Sequence, residues 1–129
     1  MTAAEYRRRY QPSEDDIQAA CVTWFRLSYP KFRRRLIASL NGAPLLNGVK
    51  TWARLKRLGA VEGEADLFLA VPSGDCGGLY IEMKTKTGRQ RDSQKEFEQD
   101  VTEHYGYAIC RTLDEFQATV KQYMATGEY

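Results

Sequence analysis

Cysteine is scarce, and its spacing suits no metal. Cys21, Cys76 and Cys110 are odd in number and far apart, so no zinc-type pairing can be drawn from them. Reduced thiols in a cytosolic compartment are expected. Long apolar runs are missing too. None approaches the roughly 20 residues that cross a bilayer, and no membrane partner is expected. The charged start, Met1 to Tyr10, has no apolar core behind it and does not read as a secretory signal. A glycine-rich phosphate cradle is also lacking. Gly77-Gly78 is too short for a dinucleotide fingerprint and leads into a strand instead of a helix, which argues against a metabolic enzyme of that type. Histidine occurs once. His104 stands at the end of an expected helix, where a cation suits the dipole. It reads as a cap or surface residue more readily than as a catalyst or ligand.

What is present suffices for one core. A chain of 129 residues with 43% hydrophobic content fits a single domain. No internal repeat or linker divides it. The formal net charge of +2 conceals an asymmetry. Residues 1–57 hold 12 Lys/Arg against 4 Asp/Glu, and residues 58–129 hold 7 against 13. A basic half points to an anionic partner, although charge clusters are more often solvated faces.

The pattern of elements follows from caps, periods and breakers. Residues 1–12 read as a basic arm ending at Pro12, and residues 13–129 as the folded domain. Ser13 is an N-cap candidate with Glu14, Asp15 and Asp16 in the first turn. Ile17, Ala20, Cys21, Trp24, Phe25 and Leu27 or Ser28 trace an apolar face at helical spacing, and Pro30 stops that helix near Tyr29. Leu36 to Leu40 is a first strand, ended by Asn41-Gly42-Ala43-Pro44. Past Asn47-Gly48, Thr51 to Leu58 is a short basic helix stopped by Gly59. Leu67–Val71 and Leu79–Met83 are apolar runs of strand length, joined by a turn cluster from Pro72 to Gly78, and form a hairpin. A polar loop leads to a helix starting at Gln90 or Asp92 and ending near His104, with Phe97 and Val101 inward. Tyr105 to Arg111 is a further strand. Thr112-Leu113-Asp114-Glu115 is a capping box for a last helix carrying Phe116, Val120 and Met124. The order is α-β-α-β-β-α-β-α, an α/β layer architecture with a mixed sheet.

The hairpin carries charges in unusual places. Residues two apart on a strand face one side, so Glu82 and Lys84 project together, and pairing can bring Asp66 near Glu82. Two carboxylates and an ammonium at one sheet end are costly unless compensated. Mg²⁺ accepts a few carboxylate oxygens while keeping waters for a phosphate substrate, and such an ion activates water against a phosphodiester. Lys84 is then placed to position or deprotonate that water, or to stabilise developing charge. The plainer reading is an exposed cross-strand pair on a half-solvated sheet.

An aspartate opening one strand followed by Glu-x-Lys in the next resembles the PD-(D/E)xK nuclease superfamily. The wider series resembles its VRR-Nuc (virus-type replication-repair nuclease) family. It runs through Glu14-x-x-x-Gln18, Asn41-Gly42, Leu58-Gly59-x-x-x-Gly63-x-x-Asp66-Leu67, Tyr80-Ile81-Glu82-Met83-Lys84-Thr85, Gly88-Arg89-x-x-x-x-Gln94 and Gly106-Tyr107. Ala65 stands where the superfamily name has proline, and Arg91-Asp92-Ser93 replaces a frequent Ser-Pro pair. The resemblance implies a restriction-endonuclease-like core. It implies Mg²⁺ or Mn²⁺ held by Asp66, Glu82, the Met83 carbonyl and Glu14, with Lys84 catalytic and Gln94 lining the site. Gln18 is a further candidate there. It implies an endonuclease cutting DNA, structure-selective for branched substrates such as Holliday junctions, acting as a homodimer. It also suggests a virus- or phage-encoded protein acting in the host cytoplasm. Beside that site, Lys86, Arg89 and Arg91 are candidates for phosphate contact. Arg33 to Arg35 and Arg54, Lys56 and Arg57 are candidates further out, giving salt-dependent, sequence-blind binding. The alternative is a nucleic-acid-binding or packaging accessory protein that uses the same fold without chemistry.

Overall fold

Ser13 starts the first helix through a reciprocal cap. Its Oγ accepts the Asp16 N–H at 3.1 Å, and Asp16 Oδ2 accepts the Ser13 N–H at 3.2 Å. The computed structural model describes residues 1–5, 12–39 and 49–129. The basic run of the N-terminal arm and the motif pieces Asn41-Gly42, Pro44 and Asn47-Gly48 lie outside the described residues. Helix α1 spans Glu14–Ser28, and Pro30–Arg35 forms a 3-10 helix that takes up the basic run before strand β1, Leu36–Ala38. Helix α2 is Val49–Arg57, followed by β2 (Leu67–Leu69) and β3 (Leu79–Met83). Helix α3 (Asp92–Val101), β4 (Gly106–Cys110) and α4 (Leu113–Thr126) complete the order. The sequence of elements is the expected one.

The four strands form one mixed sheet in the order β1-β2-β3-β4. β1 and β3 both run antiparallel to β2, with Ala38 opposite Leu67 and Leu67 opposite Ile81. β4 lies parallel to β3 with Glu82 opposite Ile109. Parallel pairing requires a crossover, and α3 supplies it. The β2–β3 hairpin closes where Ser73 and Cys76 exchange backbone hydrogen bonds of 3.0 Å, with Gly74 at φ +56°.

Alternation along the strands divides the sheet into two unlike faces. Leu67, Leu69, Leu79, Ile81 and Met83 bury against Cys21 and Phe25 of α1 and Phe116, Val120 and Tyr123 of α4. Each such side chain contributes about 1.5–3 kcal/mol on leaving water. The Tyr123 hydroxyl donates to the Val71 carbonyl at 2.6 Å, so the one polar atom of that ring is satisfied inside the core. The opposite face carries rings. Phe68 and Tyr80, paired across β2 and β3, stand 4.4 Å apart between centroids, and Phe97 of α3 meets Tyr80 edge-on at 5.1 Å.

Three local expectations need correction. Leu27 is 78% exposed, and Ser28 and Ala20 are also exposed. The buried line of α1 runs through Cys21 and Phe25, and Leu27 lies about 200° around from Phe25 at 3.6 residues per turn. The face continues instead at Tyr29, stacked on Phe25 at 5.3 Å. The capping box before α4 forms only in half. Thr112 Oγ1 accepts the Glu115 N–H at 3.1 Å, but Glu115 Oε2 turns to the Arg111 N–H at 2.6 Å. Helix α3 stops at Val101, short of His104. The His104 carbonyl accepts the Gly77 N–H at 2.8 Å, so its main chain joins the hairpin while its ring stays in water. Among the described residues, no helix is long and apolar enough to cross a membrane.

Candidate active site

Asp66 stands one residue before β2. Its carbonyl accepts the Ser39 N–H at 2.9 Å, so the ladder to β1 continues through it. The Leu67–Ile81 register, carried one position further, sets Asp66 opposite Glu82 and on the same face as it. Asp66 Oδ2 accepts the Met83 N–H at 2.6 Å, which fixes the carboxylate against β3. The Met83 side chain points into the core and is fully buried, so residue 83 presents only its main chain to this end of the sheet.

Glu82 is 0% exposed and Lys84 is 8% exposed, which rules out the solvated cross-strand pair. Glu82 Oε1 is doubly held. The Tyr107 hydroxyl donates to it at 2.5 Å and Gln90 Nε2 at 3.2 Å. Gln90 Nε2 also donates to Glu98 Oε1 at 2.8 Å. Glu82 Oε2 is buried and has no hydrogen-bond partner among the described residues, while the Lys84 ammonium pairs with it at 3.8 Å. A buried carboxylate oxygen that accepts no hydrogen bond is expensive in a folded protein. Tyr107 was in the sequence motif only as a companion of Gly106, and its hydroxyl function was not foreseen. Its phenol is driven well above the ordinary range by burial and by the bond to Glu82, so it remains a donor.

Other predicted residues converge by charge and position. Burial raises the Asp66 carboxyl, the Met83 N–H opposes this, and Glu82 raises it further, while Lys84 and Arg91 pull it down. Burial also raises Glu14, with Asp66 the next cause and Lys84 acting against it. The first turn of α1 thus brings a third carboxylate into electrostatic range of the pair. Gln94 is 4% exposed, and its Oε1 accepts the Arg91 N–H at 2.8 Å at the start of α3. That helix start is pressed against Gly63. A Cβ on Gly63 would lie 2.1 Å from the Ser93 carbonyl oxygen, and its φ is +82°. Gly63 therefore lets the chain pass close enough to bring Asp66 and α3 together.

Apart from Arg91, whose charge reaches Asp66, the remaining candidates stand away from the carboxylate pair. Gln18 is half-buried and opens with Thr23 and Arg26 onto a shallow groove along α1. Lys86, Arg89, Arg91, Arg54, Lys56 and Arg57 are all exposed, and Lys56 lies over the Trp52 ring at 5.8 Å. Arg111 was not foreseen as a functional residue. Its Nη1 donates to the Thr85 carbonyl at 2.8 Å and the Gly88 carbonyl at 2.6 Å, tying down the loop that follows Lys84.

Among the described residues, no three His, Cys, Asp or Glu side chains stand gathered as a ready metal cage. The donor set still suits a hard cation. Mg²⁺ uses one or two carboxylates and keeps several waters, and a Glu82 Oε2 that accepts no hydrogen bond among the described residues, beside a second carboxylate, is the feature that such an ion would relieve.

No family model matches the chain, and no curated protein matches it. Among solved structures, a protein described as "VRR_NUC domain protein" superimposes with a TM-score of 0.74 at 24% sequence identity, over 89% of this chain and 90% of that one. The two share a fold. The mixed sheet flanked by helices is the restriction-endonuclease-like α/β arrangement that the sequence resemblance implied.

Proposed function

We propose that this chain is a VRR-Nuc nuclease, a divalent-metal-dependent endonuclease that hydrolyses phosphodiester bonds in DNA and prefers branched substrates. The observation that carries this reading is the buried Glu82 Oε2, which accepts no hydrogen bond among the described residues, is ion-paired to the Lys84 ammonium at 3.8 Å and lies across the ladder from Asp66. A structural ion pair needs none of this crowding. Replacement of such a pair by apolar side chains is often neutral or stabilising.

Asp66 and Glu82 would hold the ion, with the Met83 main chain beside it, and Glu14 would close on it from the first turn of α1, since the three carboxylates are not already gathered around one point. A bound Mg²⁺ or Mn²⁺ would supply charge neutralisation and polarise the phosphoryl oxygens. The chain's own residues do the rest. Lys84 directs its ammonium at the attacking water and the developing negative charge. Gln94 caps the start of its own helix α3 through the Arg91 N–H and lines the site, and Tyr107 with Gln90 fixes the Glu82 carboxylate. Lys86, Arg89 and Arg91 take the phosphates flanking the cut, and Arg54, Lys56 and Arg57 extend the contact. Residues 13–129 form the catalytic unit, preceded by the basic arm. Two copies acting together would cut two strands of a junction.

The test is cleavage of labelled junctions, flaps and plain duplexes, with and without Mn²⁺. Wild-type protein nicks branched DNA only with the metal. Asp66→Ala and Lys84→Ala, each checked by circular dichroism, do not cut. Wild-type rates in Lys84→Ala would overturn the assignment, and binding with no metal-dependent nicking would make the chain an accessory DNA-binding protein. Sedimentation at working concentration tests the dimer.

A further inference from the structure

Three guanidinium groups gather where α1 ends. Arg26, Arg33 and Arg34 line an open groove whose floor is Leu36, Ile37 and Ala38 of β1. All three arginines are exposed, and none has a carboxylate within ion-pair distance among the described residues. Arg35 is excluded from the set, because its guanidinium lies over the Phe32 ring at 5.3 Å. β1 pairs on one side only among the described residues, so the groove follows a sheet edge.

The β1 side of this groove approaches the candidate active site, and a second groove runs from Arg26 along α1 toward its first turn. Along β1, Ala38 is followed by Ser39, whose N–H binds the Asp66 carbonyl at 2.9 Å. Along α1, this second groove continues past Thr23, Val22 and Gln18 to Asp15. Among the described residues, Asp15 is the only carboxylate in either lining, and it adjoins Glu14 in sequence. Arg26 follows Glu14 by twelve positions on one helix, about 18 Å at 1.5 Å per residue.

We propose that Arg26, Arg33 and Arg34 form a track for the phosphate backbone of a DNA arm that leaves the candidate active site. The inference rests on the nuclease reading and adds a path for its substrate. Guanidinium groups suit phosphate by their fork of donors. The fit of a nucleic acid is better than that of a second copy of this chain, which would set the same cationic triads against each other across a shared edge. The contacts carry no sequence information and hold the arm by charge.

The experiment measures DNA binding by fluorescence anisotropy across a salt series, without metal, using a long labelled duplex. The proteins are wild type, an Arg26→Ala/Arg33→Ala/Arg34→Ala variant and the corresponding triple Lys variant, with folding confirmed by circular dichroism. On the long duplex, the triple Ala variant has a slope of log affinity against log salt that is flatter by about 2–3, since each lost phosphate contact removes about 0.9. The triple Lys variant keeps most of the wild-type slope. Superimposed slopes of wild type and triple Ala would overturn the track and show solvated charges only. The nuclease reading fails separately: a slope change without any Mn²⁺-dependent cleavage keeps the track and removes the chemistry, whereas cleavage with superimposed slopes does the reverse.

Discussion

The Tyr107 hydroxyl donates to Glu82 Oε1 at 2.5 Å, from a strand that lies parallel to the one bearing the carboxylate. This bond and that of Gln90 occupy one oxygen of Glu82, and the other oxygen is left toward Lys84. Tyr107→Phe removes the stronger of the two donors and keeps the ring among Phe97 and its neighbours. A hydrogen bond to a charged group is worth about 1.5–3 kcal/mol, so a comparable loss of stability is expected in urea unfolding. Outer-shell partners of metal ligands typically contribute 10–100-fold to affinity. Mn²⁺ titration of Tyr107→Phe is expected to show a weakening of about that order. Unchanged Mn²⁺ affinity would make the tyrosine a purely structural neighbour.

Gly63 and Gly59 share a positive φ, at +82° and +111°, but differ in what surrounds them. Among the described residues, nothing lies within 4 Å of a Cβ on Gly59, whereas a Cβ on Gly63 would enter the Ser93 carbonyl at 2.1 Å. Gly59→Ala is expected to cost backbone strain alone, of order 1–3 kcal/mol. Gly63→Ala adds a backbone clash and is expected to cost more, and it also shifts Asp66 relative to α3. Denaturant midpoints of the two variants check the order, and an equal cost would mean that the loop from 60 to 65 relaxes freely.

The same contrast marks what was legible from sequence. Element order, the hairpin and the sharing of one face by Glu82 and Lys84 follow from alternation, turn residues and caps, which are local rules. Asp66 meeting Glu82 follows from register once the hairpin is assumed. Gly63 was visible as a motif position, but its reason is a close approach to α3 thirty residues later, and no local pattern encodes that distance. Tyr107 and Arg111 were equally opaque. A tyrosine on an apolar strand reads as packing until its hydroxyl is seen on a buried carboxylate, and an arginine after a strand reads as solvated until its guanidinium is seen on the Thr85 and Gly88 carbonyls. Leu27 failed for a simpler reason. Two residues of error around a helix turn a core position into a surface one.

Asp66 should cost the apo fold stability at neutral pH. Its carboxyl is raised, chiefly by burial, so the folded state holds the proton more tightly than the unfolded chain does. Below the ordinary Asp pKa of about 3.9 both states are protonated and no penalty exists. As pH rises through the raised folded-state value, the penalty becomes complete. Asp66→Asn keeps an oxygen to accept the Met83 N–H and removes the charge. Its melting temperature, without metal, is expected to exceed that of wild type at pH 7 and to converge with it in acid. A lower melting temperature for Asp66→Asn at pH 7 would mean that attraction to Lys84 and Arg91 outweighs burial.

Metal should reverse that balance. An ion that binds only the folded state stabilises by about 2.7 kcal/mol at a hundredfold excess over its Kd, so Mn²⁺ is expected to raise the melting temperature of wild type and not that of Asp66→Asn. The effect should depend on pH in a definite direction. Ligating carboxylates must be deprotonated, and burial raises both Asp66 and Glu14. A larger share of sites is therefore protonated in mild acid than free carboxylates would be, and Mn²⁺ competes with those protons. Affinity should climb with pH until it passes the two raised values and then level off. Thermal-shift titrations of wild type and Asp66→Asn at several pH values give both readouts. An equal metal-induced rise in Asp66→Asn would place the ion elsewhere on the chain. A pH-independent rise in wild type would mean that neither Asp66 nor Glu14 gives up a proton when the ion binds.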